Sequence, residues 1–308
     1  MKRTLIAGAV AALLALPALA AQVPAGTKLL PAEQQTFIRN IGTEPASIDP
    51  QMVEETAGSD IVNDLFEGLY TLDGDGKLQA AGALGYELDD SGTVYTFKLR
   101  PDAKWSNGEP VTAADYVYGW QRAADPKNAS NYAWFIELTG VTNASDVVQG
   151  KKSPDALGIK ALDAHTLQIT LKNPVPFFLK TLSHYTTFPA PRATIEKFGH
   201  EWVKPGNIVS NGAFVLKEWT PNERLISERN PYYWDNQHTV LNKVLYLEIV
   251  SDTAAYNRYR AGELHYTSYP LEQYKQLKQQ SPQELVSVPT LATYYYVFNT
   301  QRKPFEIG

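Results

Sequence analysis

The residues of this chain best equipped for chemistry are five histidines, at positions 165, 184, 200, 238 and 265, and two adjacent carboxylate pairs, Glu54-Glu55 and Asp89-Asp90. The histidines stand far apart, and no two have the spacing that sets a pair on one helix face around a zinc ion. His200-Glu201 comes nearest to a metal or acid/base pair, but its loop-like neighbours make it a surface feature. Adjacent side chains on an extended segment point opposite ways, so neither carboxylate pair can straddle a scissile bond. The second pair adjoins Ser91-Gly92, where a turn role suffices. Asp73-Gly74-Asp75-Gly76 lacks the ligand spacing and terminal glutamate of a calcium loop and reads as a hairpin turn. The sequence holds no nucleophile elbow, Walker loop or dinucleotide glycine fingerprint. With no cysteine, disulfides and thiolate metal sites are excluded as well. The chain is expected not to be an enzyme, with no catalytic residue, cofactor or metal. A net charge of −5 with singly scattered Lys and Arg offers no stripe for a phosphate backbone, so nucleic acid is not an expected partner.

Any binding residues must be positioned by surrounding elements, and Pro and Gly punctuate the chain into alternating strands and helices, a mixed α/β pattern without internal repeats. Met1-Lys2-Arg3, an apolar run from Leu5 to Leu16, and Ala18-x-Ala20 form a secretory signal peptide over residues 1–20. The remaining length exceeds what one core usually holds, so at least two lobes are expected. Strands are expected at Thr36–Ile41, Val94–Arg100, around Leu167, Ile169 and Leu171, at Val244–Val250 and at Tyr294–Asn299. Ser59 is expected to cap a helix burying Ile61, Val62, Leu65, Phe66 and Leu69. Thr112 and Asp115 form a capping-box start to a helix carrying Tyr116, Val117 and Trp120 inward. Ser251 or Asp252 caps another that stops at Gly262. Eighteen Tyr and six Trp stand out; each has an apolar body and a polar tip, suited equally to a core and to a tolerant ligand wall.

The stretch Thr96-Phe97-Lys98-Leu99-Arg100-Pro101-Asp102-Ala103-Lys104-Trp105-Ser106-Asn107-Gly108-Glu109-Pro110-Val111-Thr112-Ala113-Ala114-Asp115-Tyr116 closely resembles the hallmark of the family-5 extracellular solute-binding proteins. Further matches are Asp64-Leu65-Phe66-Glu67-Gly68-Leu69, Gly119-Trp120-Gln121-Arg122, Ser210-Asn211-Gly212-Ala213-Phe214 and Glu228-Arg229-Asn230-Pro231 with Tyr233-Trp234-Asp235. The resemblance runs from about residue 21 to 305 and is strongest to the branch that binds oligopeptides and murein tripeptide. It implies a periplasmic-binding-protein-like fold: a first lobe from residues 21–67 and 192–294, an inserted domain over 68–191, and an opposing lobe beginning at 295–308 and largely missing from this chain.

The resemblance also implies a function. Such proteins hold a short peptide, extended, between two lobes in the periplasm and deliver it to the membrane subunits of an ABC importer, as monomers. Carried over residue by residue, a ligand-facing strand falls on Glu54-Glu55-Thr56, a cleft tyrosine on Tyr132, and another on Tyr269 with Ser268 as competitor. Glu54 matches an acidic position, whereas Glu55 stands where relatives often have glycine, which bears on how closely a ligand backbone approaches. Leu65, Phe66, Trp105 and Trp234 are expected to be structural. Competing readings are a receptor for a dipeptide, nickel complex or sugar, a periplasmic peptidase or chaperone, and a truncated remnant without a transport role.

Overall fold

In the computed structural model the described residues are 21–287, 293 and 295–306. The expected signal peptide, residues 1–20, lies outside them. The chain divides into two units, residues 1–268 and 269–308.

The first unit begins with β1 (Thr36–Asn40) and α1 (Thr56–Leu65), then the strands β2 (Tyr70–Leu72), β3 (Leu78–Ala80), β4 (Ala83–Leu88) and β5 (Val94–Leu99). Three helices follow, α2 (Ala113–Ala124), α3 (Ala133–Leu138) and α4 (Ala144–Val148), then β6 (Ile159–Asp163) and β7 (Thr166–Thr170). Next come the short helices α5 (Phe178–Thr181) and α6 (Arg192–Phe198), the strands β8 (Phe214–Thr220), β9 (Arg224–Arg229) and β10 (Lys243–Leu247), and α7 (Asp252–Arg260). This is a mixed α/β architecture. One sheet has the order β1-β10-β9-β8, with β1 parallel to β10 and the other pairs antiparallel. A second, fully antiparallel, has the order β4-β5-β7-β6. β2 and β3 form a separate hairpin around Asp73-Gly74-Asp75-Gly76, as the turn chemistry predicts.

Alternation fixes the second sheet: Tyr95, Phe97 and Leu99 on β5 and Leu167 and Ile169 on β7 all point inward and are buried. α2 covers the β6 and β7 side of that sheet through Tyr116 and Trp120, both fully buried. Its start is capped as expected, with the Thr112 N–H and hydroxyl both donating to the Asp115 carboxylate (2.7 and 2.9 Å). At α7 the cap is Ser251, whose hydroxyl accepts from the Ala254 N–H. α1 departs from expectation. Its cap is Glu55, and Ser59 lies inside the helix with its hydroxyl donating to the Thr56 carbonyl. Ser59 has the right chemistry, but Glu55 is the residue with extended backbone where the helix begins (φ −123°, ψ 163°).

The second unit holds α8 (Tyr274–Gln280) after a single tight turn at Leu271–Gln273. The strand expected at Tyr294–Asn299 does not form over its described part. Tyr295, Val297 and Phe298 are exposed and carry no strand assignment. β-prone side chains stabilise a strand by packing across a ladder, and the described chain forms no ladder here.

Candidate functional site

Between β1 and α1 the chain runs through Asp49, Gln51, Glu54 and Glu55, and buried polar contacts fix its path. The Arg122 guanidinium on α2 grips Asp49 with two parallel bonds of 2.6 Å, and both side chains are almost wholly buried. The Trp202 indole N–H adds a third donor to the same carboxylate (3.0 Å), and Arg122 also reaches the Gln51 side-chain oxygen (3.1 Å). The Ser130 hydroxyl donates to the Gln51 carbonyl (2.6 Å). A buried carboxylate is tolerable when it is paired and its remaining lone pairs are satisfied, and Asp49 meets both conditions. The bracket therefore ties residues 49–51 to α2 and to the turn before α3.

That turn carries Tyr132, the residue expected as a cleft tyrosine. The Asn131 side-chain amide donates to the Glu54 carboxylate, so residue 54 and the neighbour of Tyr132 are in direct contact. Glu54 is exposed and Tyr132 half-buried. Tyr132 stacks on His184 (centroids 5.4 Å apart) and lies 5.3 Å from Trp134 and 6.0 Å from Tyr185. His184 is sandwiched further by Phe135 and Tyr185, each at 4.1 Å. Burial among these rings pushes the His184 imidazole down to about 4. It is thus neutral at pH 7, and its Nδ1 accepts from the Thr186 N–H. Burial pushes the Tyr185 hydroxyl up, helped by nearby Tyr132, Glu55 and Glu54. The result is an aromatic wall with two carboxylates at its edge.

The segment expected as a ligand-facing strand proves different. Val53 and Glu54 belong to no strand, Glu55 is extended, and Thr56 is the first residue of α1. The Glu55 carboxylate folds back to accept from the Gly58 and Ala46 N–H groups (2.7 and 3.2 Å), closing the helix N-terminus. Gly58 permits this, since a Cβ there would stand 2.4 Å from the Ser47 carbonyl oxygen and 2.6 Å from the Glu55 carboxylate. Of the other predicted residues, Ser268 ends the first unit, its hydroxyl committed to Asp252 (2.6 Å). Tyr269 opens the second unit, half-buried and stacked at 6.4 Å on Tyr274. The first unit thus gathers Glu54, Glu55, Thr56 and Tyr132, and Tyr269 is placed with the second.

Sequence reasoning missed Asn131, His184, Tyr185 and the anchoring role of Arg122. Arg122 lay in a quoted motif, and its burial would have required knowing that Asp49 meets it. His184-Tyr185 sits in a short turn without periodicity, so no local pattern marks it. Among the described residues, no group of three or more His, Asp or Glu is placed to hold a metal ion. None of the described helices is long and apolar enough to cross a membrane.

The profile of the bacterial extracellular solute-binding proteins, family 5 middle, matches residues 77–307. The chain is 49% identical, over 99% of its length and 56% of the relative's, to the periplasmic oligopeptide-binding protein OppA of Escherichia coli K12. It is 46% identical to the probable deoxycholate-binding periplasmic protein YgiS of the same strain, over 94% of this chain and 52% of that one. Among solved structures, Haemophilus influenzae OppA in complex with the peptide RPPGFSPFR superposes with a TM-score of 0.86 at 41% identity, covering 89% of this chain and 54% of that one. The chain belongs to the family-5 extracellular solute-binding proteins, and it spans about half the length of the curated relatives it matches.

Proposed function

We propose that this chain acts as the periplasmic substrate-binding component of an ABC importer, taking short peptides, oligopeptide or murein peptide, in extended form without chemical change. The observation that supports the reading is Glu54, whose backbone joins no strand and whose side chain Asn131 holds beside the Tyr132 wall. An extended backbone outside any ladder can pair with a ligand's main chain irrespective of side chains, while aromatic faces accept varied residues. Residues 68–191 would form an inserted domain and the segment from 295 the start of an opposing lobe, with Tyr269 a ligand-facing residue of the second unit. The protein would be a monomer, exported by its signal peptide, recognised by importer membrane subunits once loaded, and without a role in nucleic-acid binding or catalysis.

Incubation with labelled tri- to pentapeptides tests this. Intact recovery is the expected result, with weak or no binding by this chain and tight, saturable binding by a version extended through the opposing lobe, and release of fragments would make the protein a hydrolase instead. The 46% identical relative named for deoxycholate, set against an aromatic wall with exposed Trp134, supports a second reading as a bile-acid receptor. Saturable binding of deoxycholate, with no binding of the labelled peptides, would assign that one.

A further inference from the structure

Away from the Glu54 and Tyr132 region, a groove of about 400 Å³ opens beside the C-terminal end of α1. Its floor holds Glu67, its walls are Phe66 and Phe188, and its rim carries Asn63, Thr71 and Ser183. Glu67 is buried, and its carboxylate accepts one bond from the Tyr233 hydroxyl and one from the Trp234 indole N–H, both 2.6 Å. Those donors are neutral. No ion pair joins Glu67 to a cation among the described residues, and Arg100 acts on it only through space. The Arg100 guanidinium lies 3.4 Å from the centre of the Trp234 ring, and its Nε donates to the Ala81 carbonyl. Beside Glu67, the fully buried Tyr116 hydroxyl also finds no partner among the described residues. A carboxylate accepts about four hydrogen bonds, so roughly half of its capacity is unfilled at Glu67.

We infer that this groove binds a small organic cation, a primary ammonium head on a short apolar body, with the head against Glu67 and the body between Phe66 and Phe188. Charge selects the head, because a buried carboxylate given only neutral donors gains most from a positive partner. Size selects the body, because the volume falls in the usual range of small-ligand pockets, about 300–1,000 Å³. The site uses neither Glu54 nor Tyr132 and stands whether or not the peptide reading holds.

The test is calorimetric titration of the 308-residue chain with n-butylammonium chloride, against n-butanol as a neutral probe of the same shape. Saturable binding of the ammonium, at least tenfold tighter than the alcohol and at least tenfold weaker in Glu67→Gln, is the expected result. Should that variant fail to fold by circular dichroism, Thr71→Trp blocks the mouth from an exposed strand position and is expected to abolish binding instead. Ammonium that binds no tighter than butanol, or that binds equally well when the groove is altered, overturns the assignment.

Discussion

Two buried carboxylates in the first unit, Asp49 and Glu67, each accept a tryptophan indole N–H, yet only Asp49 is given a counter-charge. At Asp49 the Arg122 fork, Trp202 and the Gln51 backbone N–H fill the carboxylate and make it a brace for the segment that leads to Glu54. At Glu67 two neutral donors leave an unbalanced charge, and burial there raises the carboxyl above its usual range despite the opposing pull of Tyr233, Trp234 and Arg100. A buried carboxylate thus serves as a closed structural joint in one place and as an open receptor in the other. Counter-charge, rather than burial, separates the roles.

The largest effect is expected from breaking the closed joint. Arg122→Met leaves Asp49 buried and unpaired, and chemical denaturation should show a loss of about 3–5 kcal/mol, with Arg122→Lys falling between it and the parent. Next comes acid. His184 has its folded value lowered from 6.5 to about 4, so the unfolded chain binds the proton first. Its contribution is complete above pH 6.5 and declines as pH falls toward 4, by about 3 kcal/mol in total. His184→Phe should flatten that slope in urea melts recorded across this window. At the open carboxylate, Tyr233→Phe removes one donor, and a stability loss of about 1–2 kcal/mol is expected, smaller than at Arg122 because no charge pair is severed. The smallest effect belongs to the exposed contact: Asn131→Ala should change stability by about 0.5 kcal/mol or less while weakening peptide binding, which separates positioning from folding.

Much of this architecture was legible because its signals are local. Alternation at Tyr95, Phe97 and Leu99 and the capping pair Thr112 and Asp115 depend on neighbours a few residues away, and both appear as read. Family motifs carried the fold class further than periodicity could. The site was legible only in part, since residue identity at Glu54 and Tyr132 says nothing of what each meets. Asn131 touches Glu54 across 77 positions of sequence, and Arg122 meets Asp49 across 73. Ser59 misled because its chemistry suits a cap while Glu55 holds the extended backbone that a cap requires. Tyr295 to Asn299 misled because β propensity describes a side chain's fit to a ladder and cannot create one.

The central claim is that an extended ligand lies along residues 53–56 and against the Tyr132 wall. Amide hydrogen exchange of the version extended through the opposing lobe, with and without millimolar tri- to pentapeptides, probes it directly. Slowed exchange confined to residues 53–56 and 130–135 is the outcome this account requires, and unchanged exchange there under saturating peptide would contradict it.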